Sequence, residues 1–143
     1  MTYSTVLPIW NALRERFQNT AKTLLKQDLN LQLGTTTIGS LLHHTAEVEY
    51  MFAEWFFDKE MPKDMAKPSF TNLEELVELL SASNTHLLEA MQALPEEEWH
   101  KVVASRMGES TPLEAIGRLM YHTGMHAGQI SLIRKNGQNE TES

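Results

Sequence analysis

His122 and His126 stand four residues apart in the run Tyr121-His122-Thr123-Gly124-Met125-His126-Ala127-Gly128-Gln129. On a helix this spacing stacks two imidazoles on one face, with Cβ atoms about 5–6 Å apart. Two rings so placed can point at one divalent ion. Alone the pair is weak, because two such histidines are more often surface or half-buried residues. The zincin pattern is absent, since Thr123 rather than Glu follows His122.

A third ligand has to come from another element, and the chain offers His43 and His44. A helical wheel separates them. With Ile38 at zero and about 100° per residue, the apolar residues between Ile38 and Phe56 centre near about 320°. His44 falls at about 240°, on the flank of that arc beside Val48 and Trp55. His43 falls at about 140°, outside it with Glu47, Tyr50 and Glu54. The wheel therefore turns His44 toward a neighbouring helix and His43 toward solvent. On the last helix His126 flanks the stripe of Leu113, Ile116, Leu119, Ala127 and Ile130, and His122 sits slightly further out. The spacing thus predicts a three-imidazole site, His44, His122 and His126, with an open position of the kind catalytic sites keep. The bland alternative is a core-edge His44 with an ordinary hydrogen bond. His86 and His100 have no partner at ligand spacing and read as surface or boundary residues.

Metal-bound histidines usually donate their second N–H to a carboxylate or carbonyl. Glu47, Glu49 and Gln129 are the candidates for that supporting role. Glu49 lies at about 20° on the wheel, inside the apolar arc, and needs a partner if buried. Tyr50, Trp55, Tyr121 and Met125 are candidate pocket walls, or plain core and interface residues. Ligation by imidazole does not choose among Zn, Ni, Co, Fe and Cu. Protons compete for such ligands, so metal affinity is expected to fall as pH drops through about 6.5.

Four helical segments must position these residues. Apolar residues recur at helical spacing from about Ser4 to Lys26, Thr36 to Asp58, Asn72 to Pro95 and Thr111 to Lys135. Gly34 breaks the chain after the first segment, and Lys59 to Ser69, with Pro62 and Pro68, is a loop. Thr111, Pro112 and Glu114 give the clearest helix start, a capping box with Pro in the first turn. Val102 and Val103 are expected to form a brief extended piece. The pattern predicts an all-α four-helix bundle in one domain over residues 1–143, with a flexible tail over 137–143.

Composition removes several classes of function. The chain has no cysteine, so it has no disulfide, no thiolate metal site and no nucleophilic Cys. That suits the cytoplasm. Its net charge of −7 comes from 12 basic and 19 acidic residues, with no basic stripe for nucleic acid. No apolar run reaches the roughly 18 residues of a membrane span. Exposed Met and aromatic residues on a bundle favour a homodimer.

The run Thr37-Ile38-Gly39-Ser40-Leu41-Leu42-His43-His44-Thr45-Ala46-Glu47-Val48-Glu49 resembles the second-helix signature of the DinB/YfiT-like superfamily. In that register the family histidine falls on His44. The run from His122 to Ile130 resembles the family's last-helix motif, H-x-x-x-H-x-G-Q-[IL]. The resemblance covers the whole chain in length and helix order. It implies an up-down-down-up bundle with a three-histidine metal site, commonly nickel or zinc, with iron or cobalt in some members. It further implies thiol S-transferase chemistry with bacillithiol, mycothiol or glutathione, acting on a small-molecule substrate. The alternatives are a non-catalytic metal-binding stress-response protein and a metal-dependent hydrolase. Many members carry Arg after the second histidine of the last helix, where this chain has Ala127. Arg118, one turn before His122, is a candidate replacement.

Overall fold

Local chemistry sets the helix boundaries. A computed structural model of the chain describes residues 1–66 and 72–139. Its four helices are α1 (Thr2–Lys22), α2 (Ile38–Phe57), α3 (Leu73–Ala93) and α4 (Pro112–Asn136). The capping box of α4 forms as expected: the Thr111 hydroxyl accepts from the Glu114 N–H at 3.1 Å, and Glu114 accepts from the Thr111 N–H at 2.9 Å. Thr37 and Ser40 make the same exchange at the start of α2, and the Asn72 side chain accepts from the Glu75 N–H at the start of α3. Asp58 ends α2 in the left-handed conformation, at φ 55°.

α1 is shorter than its apolar pattern suggests. It stops at Lys22, and Lys26–Asn30 form a 3₁₀ turn instead. The Leu25 N–H donates to the Asp28 carboxylate at 2.8 Å, which favours the tighter turn. Two small antiparallel hairpins complete the connections. β1 (Gln32–Leu33) pairs with β2 (Thr36–Thr37), and β3 (Val103–Ser105) pairs with β4 (Gly108–Ser110). Of the extended piece expected at Val102 and Val103, Val103 begins β3 and Val102 lies just before it. Gly34 turns the first hairpin at φ 64°, a conformation that favours glycine.

The core reveals the helix directions. One apolar cluster joins Phe17 and Ala21 of α1 to Ile38–Ala46 of α2, Leu73–Leu80 of α3 and Ile130 and Ile133 of α4. The other joins Val6 and Trp10 to Val48–Phe57, Leu87–Met91 and Ala115–Leu119. The first half of α2 therefore meets the first half of α3 and the second halves of α1 and α4. That is an up-down-down-up, all-α four-helix bundle.

Between the two clusters lies a polar layer. Arg14 sits on the core stripe of α1 between Trp10 and Phe17, with 1% exposure. It forms a two-pronged ion pair with Glu49, at 2.6 and 3.1 Å. Ser83 donates to the same carboxylate at 2.6 Å, and Arg14 also donates to the Leu80 carbonyl at 2.7 Å.

Past α4 the chain does not immediately leave the bundle. Gln138 exchanges two backbone hydrogen bonds with Gln32, both 3.0 Å. A Cβ on Gly137 would lie 2.5 Å from the Ile133 carbonyl, so glycine permits this close return. Residues 140–143 of the expected tail, and residues 67–69 of the expected loop, lie outside the described residues. Among the described residues no helix is long and apolar enough to cross a membrane.

Candidate metal centre

Antiparallel packing of α2 on α4 brings His44 beside His122 and His126. One nitrogen from each ring lies within 4.8 Å of the other two. Ring centroids are 5.3 Å apart for His44 and His122, 5.4 Å for His44 and His126, and 4.0 Å for His122 and His126. Metal–imidazole bonds of about 2.0–2.1 Å hold donor atoms no more than about 4 Å apart. The cluster closes to that span with less than an ångström of movement per ring, so the donor set fits one divalent ion.

The neighbours of His44 and His126 bear on which nitrogen those two rings offer. Thr45 has one hydroxyl hydrogen, and it goes to the Leu41 carbonyl at 2.8 Å. The Thr45 oxygen also lies 2.6 Å from His126 Nδ1. With the hydroxyl donating to Leu41 it accepts from His126, which then carries its proton on Nδ1 and presents Nε2 with a free lone pair. His44 Nδ1 lies 3.2 Å from the Glu47 carboxylate and donates to it, which leaves its Nε2 free as well.

Exposure varies across the cluster. His126 is buried, His122 half-buried and His44 exposed. Burial pushes the His126 pKa down to about 4, and positive charge on His122 or His44 pushes it the same way. Burial, then His44, also lowers that of His122. His126 thus stays neutral well below the pH of about 6.5 at which proton competition is expected from an ordinary imidazole. The sign for stability follows. Between about pH 6.5 and 4 the unfolded chain binds a proton at this position that the folded chain does not, so stability falls as pH falls through that window and is full above it. After chelation, the native protein is expected to lose more stability between pH 7 and pH 4.5 than His126→Gln, by urea unfolding. Equal losses would contradict the burial of His126.

Two expectations about supporting residues need correction. Glu49 does not touch the histidine cluster; it is fully buried in the ion pair with Arg14. Gln129 is exposed, and among the described residues no hydrogen bond joins it to a site histidine. Glu47 takes the supporting position on His44, and Thr45, unnoticed in the sequence, takes it on His126. The signal for Thr45 was there: it lies at about 340° on the wheel, a hydroxyl at the centre of an apolar arc. His43 also departs from expectation. It is 7% exposed rather than facing solvent, because α3 covers the side of α2 opposite α4. Tyr50 on that side packs edge-on against His86, 4.9 Å between centroids, and takes no part in the site. His100 lies at the surface, as expected, with its ring 3.2 Å from the Thr2 hydroxyl.

Thr45→Val is expected to weaken divalent metal binding by about 10–100-fold, and Thr45→Ser to restore it. Competition with a chromogenic chelator checks both. Equal weakening in the two variants would assign Thr45 a packing role only.

Beside the cluster lies a cavity of about 700 Å³. His44 and His122 form part of its wall, with Trp55, Tyr121 and Met125 from the expected set. Arg118 lines it too. The guanidinium donates to the Ser110 hydroxyl and the Met107 carbonyl, both at 2.8 Å, and lies 5.4 Å from the Phe52 ring centroid.

The model of the DinB superfamily matches residues 9–130. This chain belongs to the DinB superfamily. Solved structures of DinB family members agree on the fold. A DinB-like protein from Bacillus cereus ATCC 10987 superposes with a TM-score of 0.73 at 19% identity, over 90% of this chain and 88% of that one. A DinB-like protein from Bacillus subtilis gives 0.72 at 16% identity, over 92% and 91%. No curated protein matches. For a DinB superfamily chain, the cluster of His44, His122 and His126 is compatible with metal binding.

Proposed function

We propose that His44, His122 and His126 hold one divalent metal, nickel or zinc before iron or cobalt, and that the site serves transfer of a low-molecular-weight thiol to a small electrophile. The observation that carries this reading is the placement of three imidazoles, two of them oriented by hydrogen bonds, in and beside the wall of a cavity. A closed structural site has no use for such an opening. A divalent cation held by neutral imidazoles supplies Lewis acidity, lowering the pKa of a thiol or water ligand.

The chain's own residues do the rest. Glu47 and Thr45 orient their rings through Nδ1–H. The apolar cavity excludes water from the reacting pair. With no cysteine in the chain, the nucleophilic sulfur comes from a bound thiol such as bacillithiol, mycothiol or glutathione. In the transfer a sulfur–carbon bond forms, the leaving group departs with its bonding pair, and the thiol proton passes to solvent. The same reading places the protein in the cytoplasm, where thiols are kept reduced. Exposed Leu113, Tyr121, Met125 and Leu132 on α4 support a homodimer.

Conjugation of each thiol to monochlorobimane, with and without bound metal, tests the activity. Metal-dependent turnover with at least one thiol is expected. Stoichiometric metal without turnover by any thiol would overturn the transferase reading in favour of a non-catalytic metal protein.

A further inference from the structure

Among the described residues Arg118 has no counter-charge. Its donors go to a hydroxyl and a backbone carbonyl, and its guanidinium lies over the faces of Phe52 and Phe56, 5.4 and 5.9 Å from the ring centroids. Among the described residues no carboxylate comes within ion-pair distance of it. Glu114, one turn earlier on α4, also lines the cavity. Its carboxylate is engaged elsewhere, accepting the Thr111 N–H at 2.9 Å at the helix start. The guanidinium is held by the β3–β4 hairpin and two rings, so it loses little freedom on meeting a ligand.

The remainder of the wall is mostly apolar. Val48, Met51, Phe52, Trp55, Met107 and Met125 contribute it. A pocket with apolar walls and one oriented cation selects a ligand with an apolar body and one anionic end. The low-molecular-weight thiols are polar throughout and do not match these walls.

We infer that the cavity takes a small organic carboxylate with an aromatic or aliphatic body, its carboxylate on Arg118 and its body along the apolar wall that includes Val48, Met51 and Trp55, with its other end toward His44 and His122. This deepens the transferase reading and rests on it: the ligand is the electrophilic partner of the thiol. Arg118 is then the residue that sets specificity for the anion.

The test uses naphthylacetate and its neutral counterpart naphthylacetamide, titrated by calorimetry into the full-length protein as purified and after chelation. Chelation removes any contribution of a bound metal to anion affinity and leaves that of Arg118. In the chelated protein the carboxylate is expected to bind about tenfold tighter than the amide, as a charge-assisted contact warrants. In Arg118→Gln the preference shrinks to within about twofold, while Arg118→Lys retains most of it. Ser110→Ala, which removes a hydrogen bond but no charge, retains it too, so the account remains testable if Arg118→Gln fails to fold. Equal affinity for the two probes, no binding of either, or an undiminished preference in folded Arg118→Gln would overturn the inference. Metal content of the same samples separates the two readings. Metal without carboxylate preference defeats the ligand assignment alone, and preference without metal defeats the transferase alone.

Discussion

Glu49→Ala is expected to destabilise the fold by about 3–5 kcal/mol, the usual cost of stripping one partner from a buried ion pair. Arg14 and Glu49 are 1% and 0% exposed, so neither charge has water to fall back on. Without the carboxylate, the Arg14 guanidinium keeps, among the described residues, the Leu80 carbonyl and the Gln18 side chain as acceptors. Ser83 loses its 2.6 Å contact at the same time. The cost lies in the charge left behind, not in the worth of the pair. Arg14→Met/Glu49→Leu is therefore expected to lie closer to the native protein than Glu49→Ala does. Urea unfolding at pH 7 reads both. A loss below about 1 kcal/mol for Glu49→Ala would mean that water reaches Arg14. Metal content supplies a separate check: Glu49 does not touch the histidines, so the folded variant should bind metal as the native chain does.

Divalent metal is expected to stabilise the chain by a comparable amount. A ligand that binds only the folded state, at a free concentration of about 1,000 times its Kd, contributes roughly 4 kcal/mol. For 143 residues that corresponds to a rise in melting temperature on the order of 10 °C. The three donors come from α2 and α4, so the ion would tie together helices far apart in sequence, and no unfolded chain presents that set. Chelation should reverse the shift. In His122→Ala/His126→Ala the melting temperature should not respond to added nickel or zinc. A full response in that variant would place the stabilising ion somewhere else.

Much of this was legible in the sequence, for identifiable reasons. Thr111, Pro112 and Glu114 mark a helix start through bonds between near neighbours, and they form in the structure as read. The side of α2 that faces α4 follows from periodicity, so His44 could be placed near His122 and His126. What failed depended on the third dimension. A single wheel assumes one buried face, but α2 is covered by α3 as well as α4, and His43 and Tyr50 are buried on the second face. Arg14 interrupts the apolar stripe of α1, and Glu49 lies within the arc of α2. That the two meet depends on how α1 packs on α2, which neither pattern shows. Thr45 shows a subtler limit. Its place at the centre of an apolar arc signals a buried hydroxyl, yet its partner comes from α4, 81 residues away. The cavity and the seat of Arg118 depend on the β3–β4 hairpin, whose short strands leave almost no periodicity to read.

If His44, His122 and His126 share one metal ion, removing one ligand should empty the site. Elemental analysis of the native protein and of His44→Ala, purified side by side without chelator, tests it most directly. Close to one divalent ion per chain is expected in the native protein and little or none in folded His44→Ala. Equal metal in the two, or none in the native protein after purification in the presence of nickel and zinc, would contradict it.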